Sequence, residues 1–476
     1  MMWIASSFLI INKIYRMNFV SLIKRNCPDL RVETGPGELE TWGRDWTRFK
    51  KPAPSAVVFP VSVEQVCQLV QLATNEGIPL VPSGGRTGLS GGAVAAAGEV
   101  VVSFDRMRRV LHFDALARTV TVEAGVATAT VQQLARDKGL YYPVSFASEG
   151  SSQVGGNIAT NAGGIRVLRY GLTRDQVAGL KVVTGNGKVL DCNRGLVKNA
   201  SGYDFRHLLI GSEGTLGLIV EATLRLVSAP QPSRVMLLGV ADLDSLMKVF
   251  EALQSGLGLT AFEFFTDRAL YHVRNANKLV APLETPCPLY VVTEFDCPDE
   301  AREERALELF SHCLEEGWLL DGVISQSENQ AAELWRYREG ISESISHFPP
   351  YKNDLSVTVS RVPEFLLRME QVIAEHCPQY EVVWYGHIGD GNLHMNILKP
   401  ADVSLAAFEK RSHEISEKAY ELTAQMGGSI SAEHGIGLLK QPWLGRVRSE
   451  EEISLMRAIK KSFDPSGIFN PGKLLG

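Results

Sequence analysis

Residues 82–92 read PSGGRTGLSGG, residues 150–164 read GSSQVGGNIATNAGG, and residues 211–217 read GSEGTLG. Glycine, 43 in all, is dense in these three stretches. Glycine lets neighbouring backbone N–H groups face a common point, forming a nest for an anion, and lets a planar ligand come close to the main chain. The first loop follows an apolar strand-like run, Ile78 to Val81, and the third precedes another, Ile219 to Val227. None is a G-x-G-x-x-G loop opening a helix, and no G-x-x-x-x-G-K-[ST] occurs. The usual dinucleotide fingerprint and the P-loop are both absent. One such loop alone is most often a plain turn. Three inside one α+β region favour a large phosphate-bearing cofactor held by backbone groups.

The flanking sequence is organised around these loops. Ser62 with Gln65 forms a capping box, and Val66, Leu69, Val70 and Ala73 make one apolar helix face stopped by Gly77. Short strands are expected at Val100–Phe104 and Thr119–Glu123, with a helix over Val131–Lys138. The passages VEQVCQLVQLATNEGIPLVP and TATVQQLARDKGLYYPV share one plan: helix, glycine, strand, proline. They read as two small α+β halves. Val177 to Val183 and Lys188 to Asp191 flank Gly185-Asn186-Gly187, a hairpin turn. Pro230 and Pro232 mark a boundary, after which glycine thins and helices alternate with strands such as Leu289–Phe295. A helix near 405–426, a glycine-rich segment and a last helix near 449–462 follow.

Composition excludes several classes. The chain has 476 residues, 45 % hydrophobic and 21 % charged, as in an ordinary globular protein of about three domains. A net charge of −6 argues against a nucleic-acid groove. Seven cysteines with no C-x-x-C pair argue against a disulfide scaffold, a zinc ribbon or an iron–sulfur set, and fit a reducing compartment. The apolar run from Trp3 to Ile11 is too short for a bilayer span, which takes about 20 residues. It lacks a basic start and an A-x-A-like site, so residues 1–16 read as an upstream start with the protein beginning near Met17. The expected location is cytoplasmic, with a peripheral membrane contact left open.

Three clusters carry chemistry. In WYGHIGDGNLHMN, residues 384–396, a turn at 389–392 separates two short strands, with His387 and His394 on opposite arms. Two such imidazoles can chelate a divalent metal, although a pair of histidines at a turn is more often merely exposed. SAEHGIG, residues 431–437, offers Glu433 as a carboxylate ligand, and leaves His434 beside it as a base. In RYREGISES, Arg338 and Ser342 are four apart and share a face if helical, and Lys352 follows in YKND. The default for such charges is a solvated helix face. The functional alternative is a carboxylate clamp, an arginine fork plus a lysine point charge.

The three glycine loops, with RYG at 169–171, resemble the FAD domain of vanillyl-alcohol-oxidase-type flavoproteins. With TAFEFF, PLYVVTEF, LWRYREGISES, GHIGDGNLHMN and SAEHGIG added, the chain from about residue 50 onward resembles the D-2-hydroxyacid dehydrogenases of the FAD-linked oxidase C-terminal type. It is most similar to their D-2-hydroxyglutarate branch. The resemblance implies an α+β fold: a two-subdomain FAD-binding domain over 47–229, an α+β substrate (cap) domain over 230–425, and a C-terminal segment, 426–476, that is helical and completes the active site. Residues 1–46 would be an N-terminal extension. Relatives with covalent flavin often carry a histidine in the first loop. This chain has Arg86 and no histidine there, which implies non-covalent FAD.

By position, the resemblance places the pyrophosphate on Pro82, Ser83, Gly84, Gly85, Arg86, Thr87, Gly88, Leu89 and Ser90. Ser148, Gly150, Ser151, Gly155, Gly156, Asn157 and Thr160 would line the ring and ribityl side. Glu213, Gly214 and Ile219 would lie near the adenine half, and Asn470 would close over the flavin. His387, His394 and Glu433 would hold one zinc-type metal. Asn396 and His434 would touch the substrate, with His434 as general base. Arg338, Ser342 (often threonine in relatives) and Lys352 would bind its distal carboxylate. The implied reaction is oxidation of a D-2-hydroxyacid, a dicarboxylate such as D-2-hydroxyglutarate or D-malate. Hydride would go to flavin, and electrons to a separate acceptor, electron-transferring flavoprotein or else quinone. A homodimer is the candidate assembly. The rival readings are a D-lactate or glycolate dehydrogenase on the same scaffold, and, more remotely, a non-catalytic flavin-binding subunit.

Overall fold

The structure, a computed structural model, describes residues 19–47, 50–348 and 351–476. The expectation for residues 1–16 lies outside them. The chain forms two compact units. The first takes the residues up to Gly163, then Leu172–Ser228 and Glu433–Gly476; the second takes Gly164–Gly171 and Ala229–Ala432.

The first unit holds two main sheets. One has four strands in the order Arg31–Glu33, Ala56–Phe59, Val100–Ser103, Leu80–Ser83. The last three run parallel, because the helix Val63–Glu76 carries the chain from Ala56–Phe59 to Leu80–Ser83. Ser62 caps the helix by accepting from Gln65 N, while Gln65 Oε1 accepts from Val61 N, one residue before the cap, so the expected capping box forms only in its Ser62 half. The buried helix face is Val66, Leu69, Val70 and Ala73, as the periodicity predicts, and Gly77 ends it in the left-handed region. The central strands are valine-rich and buried on both faces, the pattern of a covered parallel sheet. Residues 31–33, expected in an extension, pair instead with Val57–Phe59 as the edge strand.

The second sheet is antiparallel, in the order Val110–Asp114, Thr119–Glu123, Leu218–Arg225, Val177–Val183, Val189–Cys192. The C-terminal segment belongs to this unit. After the helix Glu450–Phe463, the tail lies along Leu80: Leu80 N donates to Ile468 O at 2.7 Å, and Asn470 N to Leu80 O at 2.8 Å.

The second unit is built on a seven-stranded antiparallel sheet. Its order is Leu319–Ile324, Ser233–Val240, Leu289–Asp296, Leu259–Thr266, Val382–Gly386, Asn392–Ile397, Tyr351–Ser356. Register decides which side chains meet. Lys352 pairs with Asn396 and Asp354 with His394; His394 pairs with Tyr385, and Tyr385 with Phe265. Directly paired residues share a face, and so do residues two apart. Glu263, Tyr385, His394, Asn396, Lys352 and Asp354 therefore lie on one face. The same face carries an apolar core of Val235, Leu237, Phe265, Val292 and Val383, against which Trp335 and Ile341 pack.

Candidate active site

In the first unit, the glycine loops converge. A Cβ on Gly85 would collide with Ser151 O, and Gly84 faces Gln153 and Gly156. Gly156 and Gly150 have nothing within 4 Å of where a Cβ would be, so this side of the loop is open to a ligand. Among the described residues, no backbone N–H from Gly84 to Ser90 donates to a backbone carbonyl, and Arg86 sits at φ +61°. A run of uncommitted N–H groups beside open glycines is a cradle suited to a pyrophosphate. Gln153 is pinned by Nε2 donating to Asp105 at 2.6 Å. Ser148 O accepts from Ser151 N and Ser152 N; Asn157 Nδ2 donates to Thr128 Oγ1 at 2.7 Å, and Thr160 Oγ1 to Gly156 O at 3.1 Å. These bonds fix the ends of the second loop. Ile219 lies buried in the strand Leu218–Arg225.

Glu213 anchors a neighbouring loop. Its carboxylate accepts from Ile436 N and from Gly437 N, each at 2.7 Å. This fastens the loop carrying Glu433 and His434, whose side chains lie 3.5 Å apart (Nε2 to Oε1). Burial raises the Glu213 pKa even though those two N–H groups, Lys440 and Lys473 oppose the shift. Asn470 Nδ2 donates to Gly92 O and Glu213 O, tying the tail to the first and third loops. Lys473 is buried beside it, and desolvation lowers its pKa to about 8 against the pull of Glu99, Asp45 and Glu213.

In the second unit, His387 follows the strand Val382–Gly386, and His394 lies within Asn392–Ile397. Their ring centroids are 5.3 Å apart at 82°. His387 Nδ1 donates to Glu263 Oε1 at 2.7 Å. Asp354 Oδ1 is 3.9 Å from His394 Nδ1, accepts from Asn392 Nδ2 at 2.9 Å, and its Oδ2 accepts from Ser431 Oγ. His394 and the Asp354 carboxylate beside it are buried and His387 is half-buried; imidazole nitrogens and a carboxylate are donor types that suit a divalent metal.

The cations are also here. Lys352 Nζ donates to Ser342 Oγ at 3.0 Å, and burial lowers its pKa below the ordinary lysine value. Arg338 is buried, its guanidinium 4.7 Å above the Tyr385 ring, with Nη2 2.8 Å from Glu263 Oε2. That contact is ionic, without the angle of a hydrogen bond, and Arg338 Nε is a buried donor with no partner among the described residues. The helical path breaks at Gly340, so Arg338 ends one helix, Glu328–Glu339, and Ser342 sits in the next, Ile341–Ser344. Asn396 Nδ2 is turned to Val383 O and His394 O.

Two residues escape sequence reading: Glu263 and Asp354. Asp354 stands two residues beyond Lys352, so strand alternation alone would have put both on one face. Glu263 is an acid inside the apolar run TAFEFF, and a charge that folding must bury is itself a signal.

Comparison with known proteins follows the same division. The family described as "FAD linked oxidases, C-terminal domain" matches residues 229–474, and "FAD binding domain" matches 54–193. A protein of Stutzerimonas stutzeri (strain A1501) named D-2-hydroxyglutarate dehydrogenase is 55 % identical over 444 residues, 93 % of this chain and 96 % of the relative. One of the same name from Xanthomonas citri pv. viticola is 55 % identical over 452 residues, 95 % of this chain and 96 % of the relative. Among solved structures, p-cresol methylhydroxylase aligns with a TM-score of 0.75 at 15 % identity, covering 97 % of this chain and 96 % of that one. At that identity the likeness is one of fold. No helix among the described residues is long and apolar enough to cross a membrane.

Proposed function

The chain belongs to the FAD-linked oxidases, flavin-dependent oxidoreductases with the two-domain fold of the vanillyl-alcohol-oxidase type, and from that premise we propose that it oxidises D-2-hydroxyglutarate to the 2-oxoacid. The observation that carries the substrate is a pair of cations drawn in from solvent, Arg338 buried and Lys352 half-buried. Arg338, with its unpartnered Nε, and Lys352, held on Ser342, lie in the unit that also holds His387 and His394. A lone monocarboxylate needs no such second clamp; a dicarboxylate does.

FAD, when bound, would supply the hydride acceptor for C2, and a divalent metal, zinc by family resemblance, would supply Lewis acidity at the C2 hydroxyl. His387, His394 and Glu433 would hold the metal, and Asp354 is a further carboxylate beside His394. Gly84 to Ser90 would bind the FAD pyrophosphate non-covalently, and the Gly150–Thr160 loop would line the ring side. The imidazole of His434 takes the hydroxyl proton, a role that histidine side chains commonly fill as general bases. Arg338 and Lys352 neutralise the distal carboxylate, and Ser342 holds Lys352 in place. Electrons leave to a separate acceptor, electron-transferring flavoprotein or else quinone. Seven free thiols suit a cytoplasmic setting.

The test is a substrate panel with a dye acceptor, run with and without chelator. D-2-Hydroxyglutarate should give the highest kcat/KM, D-malate less, D-lactate and glycolate least. Chelator should suppress turnover while the bound flavin spectrum stays. Faster turnover of D-lactate or glycolate would replace the dicarboxylate reading with the monocarboxylate one.

A further inference from the structure

Glu263 touches both halves of the proposed chemistry. Its side chain is 1 % exposed. Oε1 accepts from His387 Nδ1 at 2.7 Å, and Oε2 pairs with Arg338 Nη2 at 2.8 Å. The contacts continue into a closed ring. Arg338 stacks on Tyr385 at 4.7 Å, Tyr385 lies 5.1 Å from His394, and His394 lies 5.3 Å from His387. No member of such a ring can swing without displacing its neighbours.

We propose that Glu263 is a positioning residue that holds a metal-binding imidazole and the carboxylate-binding guanidinium at a fixed separation, and thereby sets the length of dicarboxylate the enzyme accepts. The inference rests on the function proposed above. Its chemistry is simple. A carboxylate can only accept, so Nδ1 of His387 carries the proton and Nε2 the lone pair, the tautomer that ligates metal through Nε2. The second oxygen compensates the Arg338 charge and fixes the plane of its fork. One rigid carboxylate thus defines both ends against which C1 and C5 of a substrate are measured. Glu263 contacts neither substrate nor flavin in this reading.

The experiment uses the full-length FAD-loaded protein, metal-stripped, with Zn²⁺ alone as probe. Wild type, Glu263→Gln, Glu263→Asp and His387→Ala are compared by chelator competition, with flavin content as the check on folding. Loss of an outer-shell partner typically weakens metal binding about 10- to 100-fold, which is the shift expected for Glu263→Gln. Discrimination between D-2-hydroxyglutarate and D-malate, which differ by one methylene, should shrink by about tenfold, within the range one methylene commands in a fitted site. Glu263→Asp, which keeps the charge, should recover part of the zinc affinity, whereas a purely structural role would make the shorter side chain no better than glutamine. Zinc affinity and discrimination in Glu263→Gln within twofold of wild type would overturn the inference while leaving the metal reading intact. Failure of the wild type to take up zinc, or a His387→Ala protein that binds it as well as wild type, would defeat the metal reading first and this inference with it.

Discussion

Lys352 is a cation in a place the fold would rather keep neutral: burial lowers its pKa, and its ammonium has Ser342 Oγ as a hydrogen-bond partner. Lys352→Met keeps the volume and removes the charge. The melting midpoint should hold or rise, as happens when a site strained for function is relaxed. Hydrogen bonds to charged groups are worth about 1.5–3 kcal/mol, so KM for D-2-hydroxyglutarate should rise about 10- to 150-fold. KM for D-lactate should scarcely move; an equal rise for both would assign Lys352 to the α-carboxylate or to the fold. His434 is tested by kcat. General-base help is worth about 10²–10⁴-fold, so His434→Ala should lose that much turnover and keep its flavin spectrum. His387, His394, Glu433, His434, Arg338 and Lys352 stand out in the sequence as candidates because polar residues among glycines and aromatics are few enough to single out. Glu263 and Asp354 do not, because their roles arise from pairing. Nothing in residue spacing links positions 263 and 387, and only the sheet register brings the two strands together.

Among the elements, amphipathic helices were the easiest to read and loops the hardest. The helix Val63–Glu76 was fixed by periodicity and a cap, both local properties. The edge strand at 31–33 was missed because its stability is borrowed from Val57–Phe59. The break at Gly340 was missed because a glycine at φ −72° is helical in every respect but continuity, and its place is set by tertiary packing: a Cβ there would meet Val273 at 2.8 Å. The loop 433–437 shows what such packing does. Glu213 takes two of its N–H groups, and Gly437, at φ +51°, lies against Ser90, where a Cβ would collide with the carbonyl oxygen. The loop bearing His434, the proposed base, is thereby fastened to the loop expected to hold the flavin pyrophosphate. Gly437→Ala must move one of them. A non-glycine residue in that region costs about 1–3 kcal/mol before any clash. The melting midpoint should fall by several degrees, at about 2–4 °C per kcal/mol for a domain of 150–250 residues. Flavin should be retained more weakly on gel filtration. Unchanged flavin retention would mean that the two loops are not mechanically linked.

At the scale of the whole molecule, the first unit is discontinuous: the chain leaves it after Ser228 and rejoins it at Glu433. Pro230 and Pro232 announced the exit, but no composition shift announced the return, because the tail is drawn back by long-range pairing with Leu80. The resemblance placed Asn470 over the flavin; it did not disclose that the tail also buries Lys473 among Glu99, Asp45 and Glu213. That burial makes global stability depend on pH in a defined sense. The folded pKa is lowered to about 8, mainly by desolvation. An unfolded lysine titrates near about 10.4. Below about pH 8 both states hold the proton, and the slope is nil. Between about 8 and 10.4 the unfolded chain binds a proton that the folded chain has released, so stability from this group rises with pH. Above both values it levels off. Lys473→Met removes the group and with it this contribution. The midpoint of the wild type minus that of the variant should be constant from pH 7 to 8 and then climb toward pH 10. A difference that stays flat across the whole range would mean that the three carboxylates fully offset desolvation, and that the tail carries its ammonium into the interior without a shift.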